Sequence, residues 1–252
     1  MEYAIERIKF VYRTRGLGGI ALALWRRVVF VFYFYPYNIV RYAIAKEFRQ
    51  PHYPSFEFQG SRYDYFYNTY NFTWDNERII EVPIIWRMVQ EAQAAGKKVL
   101  EVGNVLSHYY PITHDVLDKY ERGPRIVNED VLTFRSEKHY DLVVSISTME
   151  HVGWEPPDKP DPEKLPASIA NLKKLLAPRG EVVITMPLGY NHDMDAKLFA
   201  GTMPFDKEYF LKRVDGRNQW MEIGKDAARG SRYGHPFNAA NGLVIGIVRQ
   251  AS

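Results

Sequence analysis

The sequence predicts an α/β protein built on a mostly parallel β-sheet with helices on both faces. Short apolar runs typical of buried strands recur at residues 99–102, 116–117, 126–127, 142–146, 182–184 and 243–248. Helical patterns lie between some of these runs. Strands that are apolar almost throughout and that alternate with helices favour a parallel sheet covered on both sides.

The composition is that of a globular protein. The chain has 252 residues, of which 46% are apolar and 25% are charged. This length accommodates one α/β domain with an added segment, so we expect a basic, aromatic extension over residues 1–70 and the main domain over residues 71–252. The absence of cysteine excludes disulfides, thiolate metal sites and thiol nucleophiles. The start of the chain lacks a signal-peptide pattern, so we expect a cytoplasmic protein.

The first 50 residues carry most of the positive charge. They hold nine Arg or Lys residues and three acidic residues, which gives this arm a charge of +6, whereas the whole chain carries +3 and the remainder therefore −3. A basic arm on a weakly acidic body indicates a surface for anionic partners such as lipid headgroups, a charged glycan or nucleic acid.

Residues 17–45 are strongly apolar but interrupted by charge. Arg26 and Arg27 divide the segment, and its longest uncharged run, at residues 28–40, has 13 residues. Because a bilayer span needs about 20 residues, we expect this segment to pack, to form a homo-oligomer or to contact a membrane peripherally, and not to span the bilayer.

Turn and capping residues predict the elements that precede the first buried strand. Proline and glycine residues between positions 51 and 60 predict a loop-rich linker that reaches Tyr70. Asp75 is placed to cap a helix, Pro83 fits the first turn of a second helical piece, and Gly96 is placed to end it.

Two further helices are predicted in the second half of the chain. Pro162 and Glu163 open an amphipathic pattern over residues 164–177, with leucine and isoleucine side chains on one face. Asp206 is placed to cap a helix over residues 207–214.

Five segments in order carry the chemistry. The strand at 98–102 ends in Glu101 and Val102, and the turn Gly103-Asn104 follows. Asp118 then follows the second strand, with Glu121 as an alternative, and Asp130-Val131 follows the third. The fourth segment, Tyr140 to Gly153, includes Ser147 and a Glu150-His151 pair, and the fifth, residues 172–185, combines a helix end, a Pro-x-Gly turn and a strand.

These segments resemble, in type and order, the motifs of class I S-adenosylmethionine-dependent methyltransferases over about residues 75–187. The resemblance implies a Rossmann-like fold with a mostly parallel seven-stranded sheet, and S-adenosyl-L-methionine as cofactor. It places Glu101, Gly103, Asn104 and Ser147 at the cofactor, Asp118 at the ribose hydroxyls, and Asp130 and Val131 at the adenine. The family usually has two or three glycines in the first turn, whereas this chain has one. S-adenosylmethionine has no phosphate that demands such close backbone approach, and the same loss argues against NAD.

The methyl acceptor is inferred from the histidines. Transfer to a neutral hydroxyl needs alignment and a base, and the candidates at the expected rim are His151 and His192, with His108 as a third. The chain lacks the Asn-Pro-Pro-Tyr type of motif used for nitrogen acceptors, and the loop-rich segments at residues 191–205, 213–220 and 229–241 hold Tyr, Trp, Arg and Asn side chains that suit polar rings such as sugars. We therefore expect O-methylation of a glycan or another small polar hydroxyl compound, with no metal ligand set recognised. The alternatives are an RNA methyltransferase, favoured by the arm's charge, and a noncatalytic binding protein that retains the fold.

Overall fold

The computed structural model describes residues 18–19, 21–22, 24–154 and 160–250. The chain divides into two compact units, with the boundary between Arg49 and Gln50. The first seventeen residues, which carry four of the nine cations of the arm, lie outside the described residues.

The first unit contains one long helix, α1 (Leu24–Arg49). Its central part, Tyr35–Ile44, is α-helical with a proline in the first turn, and π-helical turns flank it at Phe30–Phe34 and Ala45–Arg49. By length and composition alone this helix could cross a membrane, and little of its apolar stretch is buried. The helix is longer than the uncharged run at residues 28–40, because it includes Arg26 and Arg27 before that run and continues past Arg41.

The second unit begins with a β-hairpin, in a segment for which the sequence predicts a loop-rich linker. Strands β1 (Ser55–Phe58) and β2 (Ser61–Asp64) pair antiparallel around Gln59 and Gly60. Both turn residues have positive φ, 49° and 71°, as a two-residue type I′ turn requires. The hairpin side chains Phe56 and Tyr63 belong to the core, so this segment is part of the second unit.

The main sheet has eight strands in the order β5-β4-β3-β6-β7-β10-β8-β9. They are β3 (Val99–Val102), β4 (Asp115–Leu117), β5 (Ile126–Val127), β6 (Tyr140–Ile146), β7 (Leu176–Pro187), β8 (Lys207–Arg213), β9 (Trp220–Ile223) and β10 (Gly242–Arg249). Strands β3 to β7 run parallel, whereas β10 lies antiparallel between β7 and β8, and β9 is antiparallel to β8. From β3 the chain adds β4 and β5 on one side, and it then returns to place β6 on the other side of β3. The order of the strands therefore reverses between β3 and β6, which creates a switch point.

Helices pack on both faces of this sheet and form two hydrophobic cores. Helix α2 (Arg78–Ala94) contributes to one core and helix α3 (Lys164–Lys174) to the other. Strand β6 alternates between them, because Val143 belongs to the α3 core and Val144 to the α2 core. Two shorter helices, α4 (His192–Ala200) and α5 (Lys225–Ala228), follow later in the chain.

Helix α2 differs from its prediction at its start and at Pro83. It begins at Arg78 without a side-chain cap, and the predicted cap Asp75 instead lies 3.7 Å from the Nη2 atom of Arg213. Pro83 lies inside one continuous helix, and its missing N–H leaves the Ile79 carbonyl without a helical partner. The backbone N–H of Phe66 donates to that carbonyl at 2.9 Å, which explains why the helix is not interrupted.

The helix predicted at residues 207–214 is wrong, because this segment is strand β8. Its Tyr-Phe-Leu sequence favours a strand, and it pairs antiparallel with β10. Asp206 caps no helix there and accepts a hydrogen bond from the backbone N–H of Arg249 at 2.7 Å. Helix α3 also ends at Lys174, three residues before the predicted end, because Leu176 starts β7.

The fold is the predicted Rossmann-like α/β fold, with a mostly parallel sheet between two layers of helices. The sheet has one strand more than the seven expected, because β9 extends its edge. Open sheets of this kind bind ligands at the carboxyl ends of their strands, beside the switch point. That position is therefore where a site is expected.

Candidate active site

A cavity of about 270 Å³ lies at the carboxyl ends of β3, β4 and β6, and we refer to it as the strand-end pocket. Gly103, Asp118 and Ser147, the residues that directly follow these three strands, line it. The other lining residues are Val102, Leu117, Lys119, Tyr120, Glu129, Asp130, Val131, Thr148, Met149, His151, Val152, Gly153 and Lys164. The pocket thus collects six of the nine predicted site residues.

Glu101 shapes the first turn from beneath. It is fully buried, and its Oε1 atom accepts hydrogen bonds from the backbone N–H groups of Val105 and Leu106, at 2.9 and 2.8 Å. Its Oε2 atom lies 2.9 Å from Nε2 of His114, which is also buried. Glu101 does not line the pocket, so its carboxylate fixes the course of the turn.

Gly103 brings the turn close to the end of β6. Its φ is +85°, and a Cβ atom at this position would lie 2.2 Å from Oγ1 of Thr148. Either fact alone disfavours any side chain here. The single glycine of the turn is therefore required by both the backbone conformation and the contact with Thr148.

Asp118 organises the loops around the pocket. Its Oδ2 atom accepts from the backbone N–H of Asn104 at 3.1 Å, and its Oδ1 atom accepts from those of Tyr120 and Glu121, at 2.8 and 2.7 Å. The Asn104 side chain points away from the pocket lining and donates to Glu121 at 2.7 Å. The Oε2 atom of Glu121 also lies 3.2 Å from Nε2 of His108, and Glu121 does not line the pocket.

Asp130 lies between two lysines on the opposite wall. Its Oδ2 atom accepts from Nζ of Lys164 at 2.9 Å and from Nζ of Lys119 at 3.0 Å, while Oδ1 accepts from the backbone N–H of Leu132. Partial burial raises the pKa of Asp130, but the bonds from Lys164 and the Leu132 N–H outweigh it and hold this pKa below its usual range. Val131 and the exposed Glu129 also line this wall.

A buried ionic cluster supports the end of β6. Ser147 and Thr185 donate their hydroxyl groups to Oε1 of Glu81, both at 2.6 Å, and Arg78 donates to Oε2 at 3.0 Å. Glu81 is fully buried, so the pairing of both its oxygens offsets the cost of burying the charge. Ser147 is thereby held at the pocket with φ +34°.

Two more carboxyl groups lie near this cluster and are less fully paired. Glu77 accepts a hydrogen bond from the backbone N–H of Ala240 at 3.1 Å. Burial, followed by the neighbouring charge of Glu81, raises the pKa of Glu77. Burial also raises the pKa of Glu150 well above its usual value. The Oε2 atom of Glu150 is buried and has no hydrogen-bond partner among the described residues.

His151 connects Glu150 to a tyrosine. Its Nε2 atom lies 3.5 Å from Oε1 of Glu150, and its Nδ1 atom lies 3.2 Å from the hydroxyl of Tyr190. The imidazole lines the strand-end pocket and is partly exposed. The arrangement orients the ring, with one neighbouring polar group at each ring nitrogen.

His192, the other predicted base, does not line the strand-end pocket. It lines a larger cavity of about 800 Å³ between α4 and residues 229–233, which we refer to as the α4 groove. Its ring meets that of Trp154 edge to face at 5.9 Å. The structure therefore separates the two predicted catalytic histidines.

Several residues of the pocket were missed by sequence reasoning. Lys164 is the first residue of α3 and reaches Asp130 across 34 positions of sequence, so no local pattern indicates it. Thr148 and Met149 lie inside the predicted Ser145 to Gly153 segment but carry no recognisable chemistry of their own. Within the described residues, no group of three or more metal-binding side chains occurs.

Comparisons with known proteins give weak similarities. No protein-family model matches the sequence, and no curated protein matches it. The solved structure of the N-methyltransferase NodS from Bradyrhizobium japonicum, in complex with S-adenosyl-L-homocysteine, is 14% identical, covers 66% of this chain and 85% of its own, and has a TM-score of 0.38. An S-adenosylmethionine-dependent methyltransferase from Thermotoga maritima is 10% identical, with coverages of 68% and 96% and a TM-score of 0.38. A sugar N-methyltransferase from Streptoalloteichus is 12% identical, with coverages of 68% and 87% and a TM-score of 0.36. Similarities this weak do not define a reaction.

Proposed function

We propose that this chain is a class I S-adenosylmethionine-dependent methyltransferase that methylates a hydroxyl group of a glycan or another small polar compound. The observation that carries the proposal is the strand-end pocket, where Gly103, Asp118 and Ser147 converge from three strands at the switch point of the sheet. Ligands of open α/β sheets bind at this position.

Several lining groups support S-adenosylmethionine as the ligand by their chemistry. The Asp118 carboxylate suits a vicinal diol such as that of ribose. Val131 and Val152 offer apolar contact for a flat ring. Gly103 packs closely against Thr148, so the backbone of the first turn lines the pocket without a side chain. Asp130 would accept a hydrogen bond from the adenine amino group only in competition with Lys119 and Lys164. Glu129 is an alternative acceptor on the same wall.

S-adenosylmethionine supplies an activated methyl group, and the chain supplies alignment and a proton acceptor. His151 is the proposed base because it lines the pocket at the end of the short 3-10 turn Met149–His151 that follows β6, where regular structure limits its movement. When bound, S-adenosylmethionine would supply its methyl group to the hydroxyl oxygen and would keep the electron pair of the broken carbon–sulfur bond on sulfur. The hydroxyl proton passes to His151.

Glu150 positions His151 and stabilises the charge that the ring acquires. The tautomer with a proton on Nε2 donates toward Oε1 of Glu150 and leaves Nδ1, which faces the Tyr190 hydroxyl, as the accepting atom. Once His151 is protonated, the ionised Glu150 carboxylate balances the charge of the ring. Tyr190 lies where it can relay the proton from the acceptor hydroxyl.

Binding and transfer are tested separately. Calorimetry of the purified chain with S-adenosyl-L-homocysteine tests the cofactor site, and mass spectrometry of hydroxyl compounds incubated with S-adenosylmethionine tests for the added mass of one methyl group. Binding without transfer to any acceptor class would favour a noncatalytic binding protein. Methyl transfer to RNA in preference to glycans would replace the proposed acceptor, and absence of cofactor binding would refute the proposal.

We further propose that α1 contacts an anionic lipid surface from the cytoplasmic side. Its side chains Phe32, Tyr33 and Trp25 are 78%, 69% and 64% exposed, and five cations but one acid occur between Arg26 and Arg49. Apolar exposure with excess positive charge favours anionic membranes.

Flotation with phosphatidylcholine vesicles, with and without phosphatidylglycerol, tests this contact. We expect binding to the anionic vesicles and its loss in Phe32→Glu. The variant Met221→Glu, which places the same charge on an exposed apolar position of the second unit, is expected to bind normally. If Phe32→Glu instead dissociates a homo-oligomer without changing flotation, α1 is an interface between copies of this chain.

A further inference from the structure

The α4 groove lies beside the strand-end pocket and has a different composition. One wall is the face of α4 that carries His192, Asp195 and Phe199, which are three and four positions apart and so share one side of the helix. The other wall is residues 229–233, and its volume of about 800 Å³ suits a sugar-sized ligand. Each wall carries charged or polar side chains beside apolar or aromatic ones.

Aromatic side chains connect the groove to the proposed base. Tyr233 lines the groove, and its ring meets that of Tyr190 edge to face at 5.3 Å. The Tyr190 hydroxyl lies 3.2 Å from Nδ1 of His151, which lines the strand-end pocket. A ligand bound in the groove therefore has a hydroxyl group within reach of His151 when it extends past these two tyrosines.

Gly189 sets the position of the second wall. Its φ is +80°, and a Cβ atom there would lie 2.6 Å from the Ser231 carbonyl oxygen and the Tyr233 nitrogen. Residues 231–233 thus pack directly against the chain that leaves β7. This contact brings the groove next to Tyr190.

Asp195 presents an unfilled hydrogen-bond acceptor in the groove. Its Oδ2 atom accepts from the backbone N–H of Gly189 at 2.8 Å, but its buried Oδ1 atom has no partner among the described residues. An acceptor without a donor is costly to bury. A hydroxyl group of a bound ligand would donate to this atom.

Two arginines give the groove a positive charge. Arg229 is held over the Phe199 ring at 4.9 Å and lies 3.4 Å from the almost fully exposed Asp226. Arg232 also lines the groove and forms no ion pair within the described part of the chain. With Asp195 as the only carboxylate among the lining residues, the groove has an excess of cations and suits an anionic group.

We propose that the α4 groove is the acceptor subsite and that it binds a sugar ring bearing an anionic substituent. This inference rests on the proposed function and specifies its acceptor. A ring hydroxyl donates to Asp195, the anionic group pairs with Arg232, and the ring packs on Tyr233. The hydroxyl to be methylated then extends toward His151.

Ligand-observed NMR with two matched probes tests the subsite. Methyl β-D-glucuronide and the neutral methyl β-D-glucoside are titrated into the full chain saturated with S-adenosyl-L-homocysteine. We expect the glucuronide to bind roughly tenfold or more tightly than the glucoside, which is the scale for a hydrogen bond to a charged group. Arg232→Gln is expected to remove this preference, and Asp195→Asn to weaken both probes.

The control variant is Arg179→Gln, because Arg179 is exposed and lies near the start of β7, whereas Gly189 and the groove follow the other end of that strand. It is expected to bind both probes as the original chain does. Equal affinity for the two probes, or an unchanged preference in Arg232→Gln, would overturn the inference. Full competition by inorganic phosphate together with no effect of Asp195→Asn would overturn the sugar assignment. Calorimetry with S-adenosyl-L-homocysteine on the same samples shows separately whether the cofactor site is intact.

Discussion

The strand-end pocket and the α4 groove differ in how their carboxylates are satisfied. In the pocket, both oxygens of Asp118 and both of Asp130 accept hydrogen bonds from the protein. In the groove, one oxygen of Asp195 accepts none among the described residues. The pocket is thus organised before any ligand binds, whereas the groove keeps polar groups available for a ligand. This difference fits a pocket for one cofactor and a groove in which the acceptor completes the site.

The largest expected effect comes from the residue that joins the two cavities. We expect His151→Ala to lower turnover by roughly 10²–10⁴, the usual contribution of a general base, and to leave affinity for S-adenosyl-L-homocysteine nearly unchanged. Steady-state rates and calorimetry check the two parts. Loss of cofactor affinity would assign His151 to the pocket wall, and near-normal turnover would transfer the role of base to His192 or Asp193.

Glu150→Gln provides the matched test of the positioning role. Because burial raises the pKa of Glu150, its carboxyl group ionises only at a pH well above the usual range, so the turnover of the original chain should rise with pH through that titration. The glutamine cannot ionise, and we expect this rise to be lost. An identical pH profile in the variant would show that Glu150 does not act on His151.

The second effect tests how rigidly the pocket is built. We expect Gly103→Ala to weaken cofactor binding by roughly 100-fold, because the added Cβ meets Thr148 and the backbone has positive φ. Gly224→Ala is the control, since Gly224 has open space around its Cβ position and an ordinary negative φ. Calorimetry measures both, and thermal unfolding shows whether each variant is folded. Equal affinities would show that the turn tolerates a side chain.

The third effect separates two neighbouring acids. Asp118→Ala is expected to weaken cofactor binding by roughly 1.5–3 kcal/mol, the scale for hydrogen bonds that involve a charged group. Glu121→Ala is expected to have a small effect, because Glu121 lies outside the pocket lining. Calorimetry of both variants checks the order. A larger loss in Glu121→Ala would assign the ribose contact to Glu121.

The two cavities also differ in how far the sequence predicts them. The residues after β3, β4 and β6 are indicated by short motifs, because a strand and the turn that follows it are local in sequence. The groove lies between α4 and residues 229–233. Residues 231–233 pack against Gly189, and this contact depends on tertiary structure. For the same reason β8 was predicted as a helix: its partner β10 lies about 30 positions later. Glu101 was expected at the cofactor, but its carboxylate lies beside His114 beneath the turn. No motif in the sequence indicates this contact with His114.

The smallest effect tests the unsatisfied carboxylate of the groove. Burial raises the pKa of Asp195 to about 6, although the N–H of Gly189 opposes the shift. Because this folded pKa lies above the unfolded value near 3.8, the stabilisation is fully present below about pH 4 and is lost as the pH rises through about 6.

Allowing for the solvent that reaches this half-buried group, we expect the unfolding free energy of the original chain to fall by roughly 1–2 kcal/mol between pH 4 and 7, relative to Asp195→Asn. Urea unfolding at several pH values measures the difference, and Asp193→Asn, which removes one charge from the same turn of α4, should run parallel to the original chain. If the Asp195→Asn curve is also parallel, the carboxylate is already satisfied, and the groove does not differ from the pocket in the way proposed.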